Sequence, residues 1–402
     1  MKNIFKTLVI LISIATLSSC SNDDDDGLIY INPDEVKTYT LTSVSDPTIS
    51  GTAKFIKNTD NSVTIELQLT GTSPGGVHPA HIHENTAAEG GDIALTLGTV
   101  DGDTGFSTIS TTSFTFEELL DYDGYINVHV SDTDLGTLIA QGDIGQNELT
   151  GTNKIYALGS VSDPNISGTV EFAERVNGET MAKIQLDGTP AGGMHPAHIH
   201  MNTAAETGDI AYTFNPVNGD TGMSVNNISV LDFGDLDSSN DVPITYDELT
   251  AYDGYVNVHL SALDLVTLVA QGDIGQNELT GMTQSYTLNA VDVPTISGTV
   301  TFSERSNGDA LAKIELTGTP PAGMHPAHIH MGSVATAPGD IMFTFNPVIG
   351  DTGISLTNVT ALDDTTSFGY SDILNVDGYI NVHLSASDLG TLVAQGNIGA
   401  NN

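Results

Sequence analysis

The chain has 402 residues, with ten Lys and Arg against 51 Asp and Glu, for a formal charge of −41. It is too long for one ordinary domain, and so acidic a surface repels phosphate backbones and anionic headgroups, which argues against nucleic-acid binding and electrostatic membrane docking. Its one cysteine, Cys20, rules out an intramolecular disulfide and a cysteine-based zinc site.

Residues 1–19 read as a signal peptide. Lys2 and Lys6 precede the apolar run Leu8–Leu17, which is too short for a permanent membrane span. The run ends in Leu17, Ser18, Ser19, Cys20, which resembles a bacterial lipobox and makes Cys20 the expected lipidation site and mature N-terminus, since two or more acyl chains anchor a protein stably. Residues 20–35 then form an acidic tether. Within it, Ser21–Asp26 (SNDDDD) is a charge run that cannot fold and resembles the export signal of some Gram-negative surface lipoproteins. The expected location is the outer membrane, with Cys20 in its lipid and the chain exposed at the cell surface.

From about Val36 the pattern is β. Val63, Ile65, Leu67 and Leu69 alternate with Thr64, Glu66 and Gln68, the period-2 signature of a half-buried strand, and Ala182, Ile184, Leu186 and Ala312, Ile314, Leu316 repeat it. Turn clusters such as Asp101–Gly105 separate short strands, about eight per unit. Thr115–Glu118 and Thr245–Glu248 are capping boxes that predict one helical turn before a later strand. The expected architecture is all-β, with three tandem antiparallel, Greek-key-like β-sandwich domains at residues 36–150, 151–280 and 281–402. The joints are the QNELTG stretches Gln146–Gly151 and Gln276–Gly281, short enough to predict semi-rigid connections. Unit 2 carries an acidic insertion around Asp232 to Asp241, where a functional difference between units is most expected.

HPAHIH occurs at His78–His83, His195–His200 and His325–His330, and a DGYxNVH segment follows each copy, ending at His129, His259 and His383; together these account for all twelve histidines. The AHIH core, the following Gly-Asp-Ile (Gly91–Ile93, Gly208–Ile210, Gly339–Ile341), the YxNVH segment and the closing TLIAQGDI or TLVAQG strand make each unit resemble the chordin-type, or CHRD, domain family. The resemblance covers nearly the whole mature chain and implies an extracellular β domain rather than a mechanism. Two features depart from it. Ser131–Gly142 lacks the Pro, Glu and Arg of the family's usual ending, and the leading His78, His195 and His325 are additions.

His81 and His83 lie two apart on an expected strand and share a face, as do Tyr125, Asn127 and His129, opposite Ile126, Val128 and Val130. If the two strands neighbour each other, the imidazoles converge away from the apolar core. Three or four nitrogens suit zinc or copper, one ion per unit. The candidate ligands are His78, His81, His83 and His129; His195, His198, His200 and His259; and His325, His328, His330 and His383, supported by Asn127, Asn257 and Asn381. The alternative is that these rings are structural braces bonded to backbone carbonyls. The His-x-His pair also resembles the copper side of Cu/Zn superoxide dismutase, but a dismutase draws in an anion, and the only arginines, Arg175 and Arg305, lie outside the motifs. Calcium at Asp101, Asp103, Asp220 and Asp351 is a weaker reading, since the spacing matches no EF-hand and suits ordinary Asp-Gly turns. Nearby carboxylates are expected to raise the imidazole pKa values. With no nucleophile–base motif, the sequence reads as a non-enzymatic binding or adhesion module with an unnamed protein or glycan ligand. A superoxide-dismutase-like enzyme and a structural spacer are the alternatives.

Overall fold

The computed structural model describes residues 35–402 apart from Leu236. The expected signal peptide, Cys20 and most of the acidic tether lie outside the described residues. Unit 1 has eight strands, β1 (Val36–Ser43), β2 (Ser50–Lys57), β3 (Val63–Thr70), β4 (Val77–Glu84), β5 (Ile93–Asp101), β6 (Phe106–Thr111), β7 (Asp123–Ser131) and β8 (Asp134–Gly145). They form one antiparallel sheet in the order β5-β4-β7-β8-β1-β2-β3-β6. Units 2 and 3 repeat this order, and there the sheet closes on itself through one further pair, Asn218 with Met223 and Ile349 with Ile354.

The all-β, antiparallel expectation therefore holds, while the expected sandwich becomes a closed or nearly closed barrel. The reason lies in β1. It pairs with β2 from Val36 to Leu41 and then with β8 at Thr42 and Ser43, so what would be two facing sheets is continuous. Closure also removes exposed edges, which otherwise invite pairing with other chains.

Strand alternation places the core. Val63, Ile65, Leu67 and Leu69 are all buried in unit 1, where they pack with Ala80 and Ile82 of β4 and Ile126 and Val128 of β7. Units 2 and 3 have separate clusters built from the equivalent residues.

Both expected capping boxes form. Thr115 Oγ1 accepts from Glu118 N and Thr245 Oγ1 from Glu248 N, opening α1 (Phe116–Leu120) and α2 (Tyr246–Thr250), which bury Phe116 and Leu119 and Tyr246 and Leu249. Unit 3 has a turn that no box announced, α3 (Tyr370–Ile373), because its cap is Gly369, whose backbone N–H donates to Asp372. The unit 2 insertion folds back through a small ladder of Val230–Leu231 with Val242–Pro243, and Asp232 accepts from the Thr213 and Gly234 amides.

Candidate metal centre

β4 and β7 are antiparallel neighbours, with Ala80 opposite Val128, His81 opposite Asn127 and His83 opposite Tyr125. This sets His81 and His83 on one face with His129 diagonal to His81, and sends Ile82, Ile126 and Val128 into the core. Bulges finish the arrangement. The β4–β5 register shifts between Ile82 and His83, and the β7–β8 register shifts at His129; units 2 and 3 shift at the equivalent places. A bulge re-aims a side chain, and here two bulges turn two rings toward the third.

Three histidines meet in each unit: His81, His83 and His129; His198, His200 and His259; His328, His330 and His383, each offering a ligand atom within 4.8 Å of the others. Imidazoles bound at about 2.0–2.1 Å to one ion place their nitrogens roughly 3.3–4.1 Å apart, close to the spacing within these clusters. His81 Nδ1 lies 3.1 Å from His129 Nε2, and His198 Nδ1 lies 3.1 Å from His259 Nε2. In unit 3 the same atoms, His328 Nδ1 and His383 Nε2, are buried with no hydrogen-bond partner.

Backbone carbonyls fix the tautomers. His129 Nδ1 donates to Leu135 O at 2.7 Å and His83 Nδ1 donates to Gly91 O at 3.0 Å, so each ring presents a bare Nε2 lone pair to the cluster. The other units keep both bonds, His259 to Leu265 and His200 to Gly208, His383 to Leu389 and His330 to Gly339. Brace and ligand are therefore not alternatives here. One nitrogen of each of these rings braces. Nε2 of His129 and His259 meets His81 Nδ1 and His198 Nδ1, while Nε2 of His83, His200, His330 and His383 is buried without a partner, an arrangement that costs free energy unless something binds there.

The leading histidines do not join the cluster. His78 shares strand parity with Ala80 and Ile82, so it points to the other side of β4. His78 Nδ1 donates to Val130 O, His195 to His259 O and His325 to His383 O. They hold the end of the strand that carries the third ligand. Asn127, Asn257 and Asn381 sit on the ligand face but accept from Gln141, Gln271 and Gln395, not from an imidazole.

The ring that sequence reasoning passed over is tyrosine. Tyr125 stacks on His83 with centroids 5.0 Å apart, and Tyr255 and Tyr379 repeat the contact with His200 and His330. The Tyr255 and Tyr379 hydroxyls accept from Gly208 N and Gly339 N, the glycines whose carbonyls orient those histidines. The signal was present, since Tyr125 shares the parity of Asn127 and His129, and the Gly-Asp-Ile motif supplies the glycine.

The imidazoles lie outside the apolar clusters yet are largely covered, all three of unit 1 being buried. This overturns the expected upward shift. Burial pushes His81, His129, His259, His328 and His383 below the ordinary imidazole range, neighbouring rings add to the effect, and His198 falls to about 4. Neutral rings are the form that ligates.

The Asp-rich turns are built as turns. Asp101 accepts from the Asp103 and Thr104 amides, and Asp103, Asp220 and Asp351 accept from Gly75, Gly192 and Ala322. Among the described residues, the three triads are the only groups of three or more ligating side chains of this kind, and none includes a carboxylate.

Comparison with known proteins agrees with this picture in part. The chain is 34% identical over 79 residues to the protein named cell surface superoxide dismutase [Cu-Zn] 4 from Candida albicans, a match covering 19% of this chain and 33% of that protein. The chain thus spans about a third of that relative's length. Residues 34–138, which hold the whole first triad, match the CHRD domain model.

Proposed function

We propose that this protein is a surface-anchored lipoprotein with three CHRD-like units, each binding one transition metal ion through its His triad, and that it works as a multivalent binding module. The observation that carries the metal reading is the threefold recurrence of three imidazoles that bring one nitrogen each within 4.8 Å of the others, while two of the three rings in each unit have their opposite nitrogen held by a carbonyl. With three nitrogens and neither thiolate nor carboxylate in the set, copper(II) should bind more tightly than zinc, following the general order of divalent affinities. The leading histidines act as support, holding the end of the strand that carries the third ligand. Repetition favours binding over catalysis, because linked sites gain avidity. Anchoring rests on the lipobox at Cys20 and the acidic run after it.

A second reading, redox turnover of superoxide on copper, draws on the dismutase match. Against it stand the charge of −41 and the two arginines, both buried and paired with carboxylates, which leaves neither free to attract an anion.

The test is elemental analysis of protein purified without a His tag, followed by copper and zinc titration. Three equivalents per chain, tighter for copper, are expected; no uptake at neutral pH would end the metal reading. Robust superoxide turnover by the copper-loaded chain would reverse the order of the two readings. For the anchor, palmitate labelling is expected in the wild type and not in Cys20→Ala, and equal labelling of both would remove it.

A further inference from the structure

The joint between units is built around a buried arginine. Arg175, at the end of the second strand of unit 2 (Ser167–Arg175), is 1% exposed. Its Nη1 donates to Asp143 Oδ2 at 2.7 Å and to Asn147 O, and its Nε donates to Asn227 Oδ1 at 2.8 Å. Asp143 and Asn147 belong to unit 1 and its joint, Asn227 to unit 2. Arg305 repeats the set one unit later with Asp273, Asn277 and Asn358.

The acceptors lead to the triad of the preceding unit. Asp143 Oδ1 accepts from Ala87 N, within the loop of residues 85–92 whose Gly91 carbonyl orients His83. Asn147, fully buried, donates from Nδ2 to Asn85 O, Asp123 Oδ1 and Gly124 O, which ties the end of β4 to the start of β7. In unit 2, Asp273 accepts from Ala204 N and Asn277 donates to Asn202 O, Asp253 and Gly254 O. The second bonding position of each aspartate is filled by an arginine from the unit that follows.

The sequence varies with this geometry. Aligned on the SGT that opens each second strand, the position of Arg175 and Arg305 is Asn58 in unit 1, which no described unit precedes. Asn58 N donates to Ser62 O just as Arg175 N donates to Glu179 O, so the positions correspond. In unit 3 the position of Asp143 and Asp273 is Asn397, whose Oδ1 still accepts from a loop amide, Val334 N. Among the described residues, the carboxylate appears at the two positions an arginine reaches, and the third position is an amide. A loop cap needs only an oxygen; an arginine needs the charge.

We propose that Arg175 and Arg305 are positioning residues for the metal centre of the preceding unit, acting through Asp143 and Asp273 on the loop that orients His83 and His200. Docking of units 2 and 3 thereby sets the order of the centres in units 1 and 2. This rests on the metal reading above, yet its mechanical half stands apart from metal. Outer partners of a ligand typically change metal affinity by about 10–100-fold when lost.

The test uses the full chain with Asp143→Asn and, separately, Arg175→Asn, each placing at the joint the residue the protein itself carries at the equivalent position of another unit. Hydrogen exchange on metal-free protein is expected to speed up for residues 85–92, on the order of tenfold, with residues 332–340 of unit 3 unchanged as internal control. Copper titration is expected to show one of three sites weakened by about 10–100-fold. Unchanged exchange at 85–92 in both variants would overturn the proposal, as would faster exchange with all three copper affinities intact. If the wild type takes up no copper, the metal reading fails, and the exchange experiment still decides whether the joint governs the loop.

Discussion

Replacing His129 by alanine is expected to lower the metal content of the full chain from three equivalents to two, and replacing His129, His259 and His383 together should abolish binding. The loss at the altered site should exceed the roughly 10–100-fold typical of outer partners, because a ligand itself is removed. The fold should survive, since none of these rings belongs to an apolar cluster, and far-UV circular dichroism checks that. Thermal melts give a second readout. A ligand at a thousandfold its Kd stabilises by about 4 kcal/mol, so copper should raise the melting temperature of the wild type and not of the triple variant. Three equivalents retained by His129→Ala, with His83→Ala equally silent, would mean that the imidazoles serve only as braces.

Acid is expected to act on the metal-free protein in a defined window. Burial depresses His198 to about 4 from the ordinary value of 6.5, and His81, His129, His259, His328 and His383 shift in the same direction. The unfolded chain therefore binds more protons than the folded one as pH falls below about 6.5, and stability present above that value drains away toward the folded pKa values. Metal affinity should follow the folded pKa values instead. It should fall as the rings protonate, by up to about tenfold per pH unit for each proton displaced. NMR titration of the imidazole protons in metal-free protein measures this directly. A His198 that titrates near 6.5 would remove the shift and the window with it.

Period and repetition along the chain were enough for several features. Alternation in Val63–Leu69 and its counterparts placed the cores, the Thr115 and Thr245 boxes placed two helical turns, and parity put His81 with His83 and Tyr125 with His129. These are local properties, because a strand side chain's face depends only on its position along the chain. Parity applied to His78 would also have removed it from the ligand set, as it falls with Ala80 and Ile82.

Other features depended on contacts between distant residues. Whether the strands formed a sandwich or a barrel turned on β1 pairing with both β2 and β8, which no single strand encodes. The convergence of three rings needed bulges at His83 and His129, set by partner strands. The choice between brace and ligand needed to know that carbonyls of Gly91 and Leu135 take Nδ1 and leave Nε2 bare. The direction of the pKa shifts reversed because composition reports the number of carboxylates and not their distance, while the structure covers the rings and leaves desolvation as the larger effect. Arg175 and Arg305 were visible in the sequence as the only arginines, but their role emerged only when folding brought each against an aspartate 32 residues earlier in the chain, where a buried charge must find a partner.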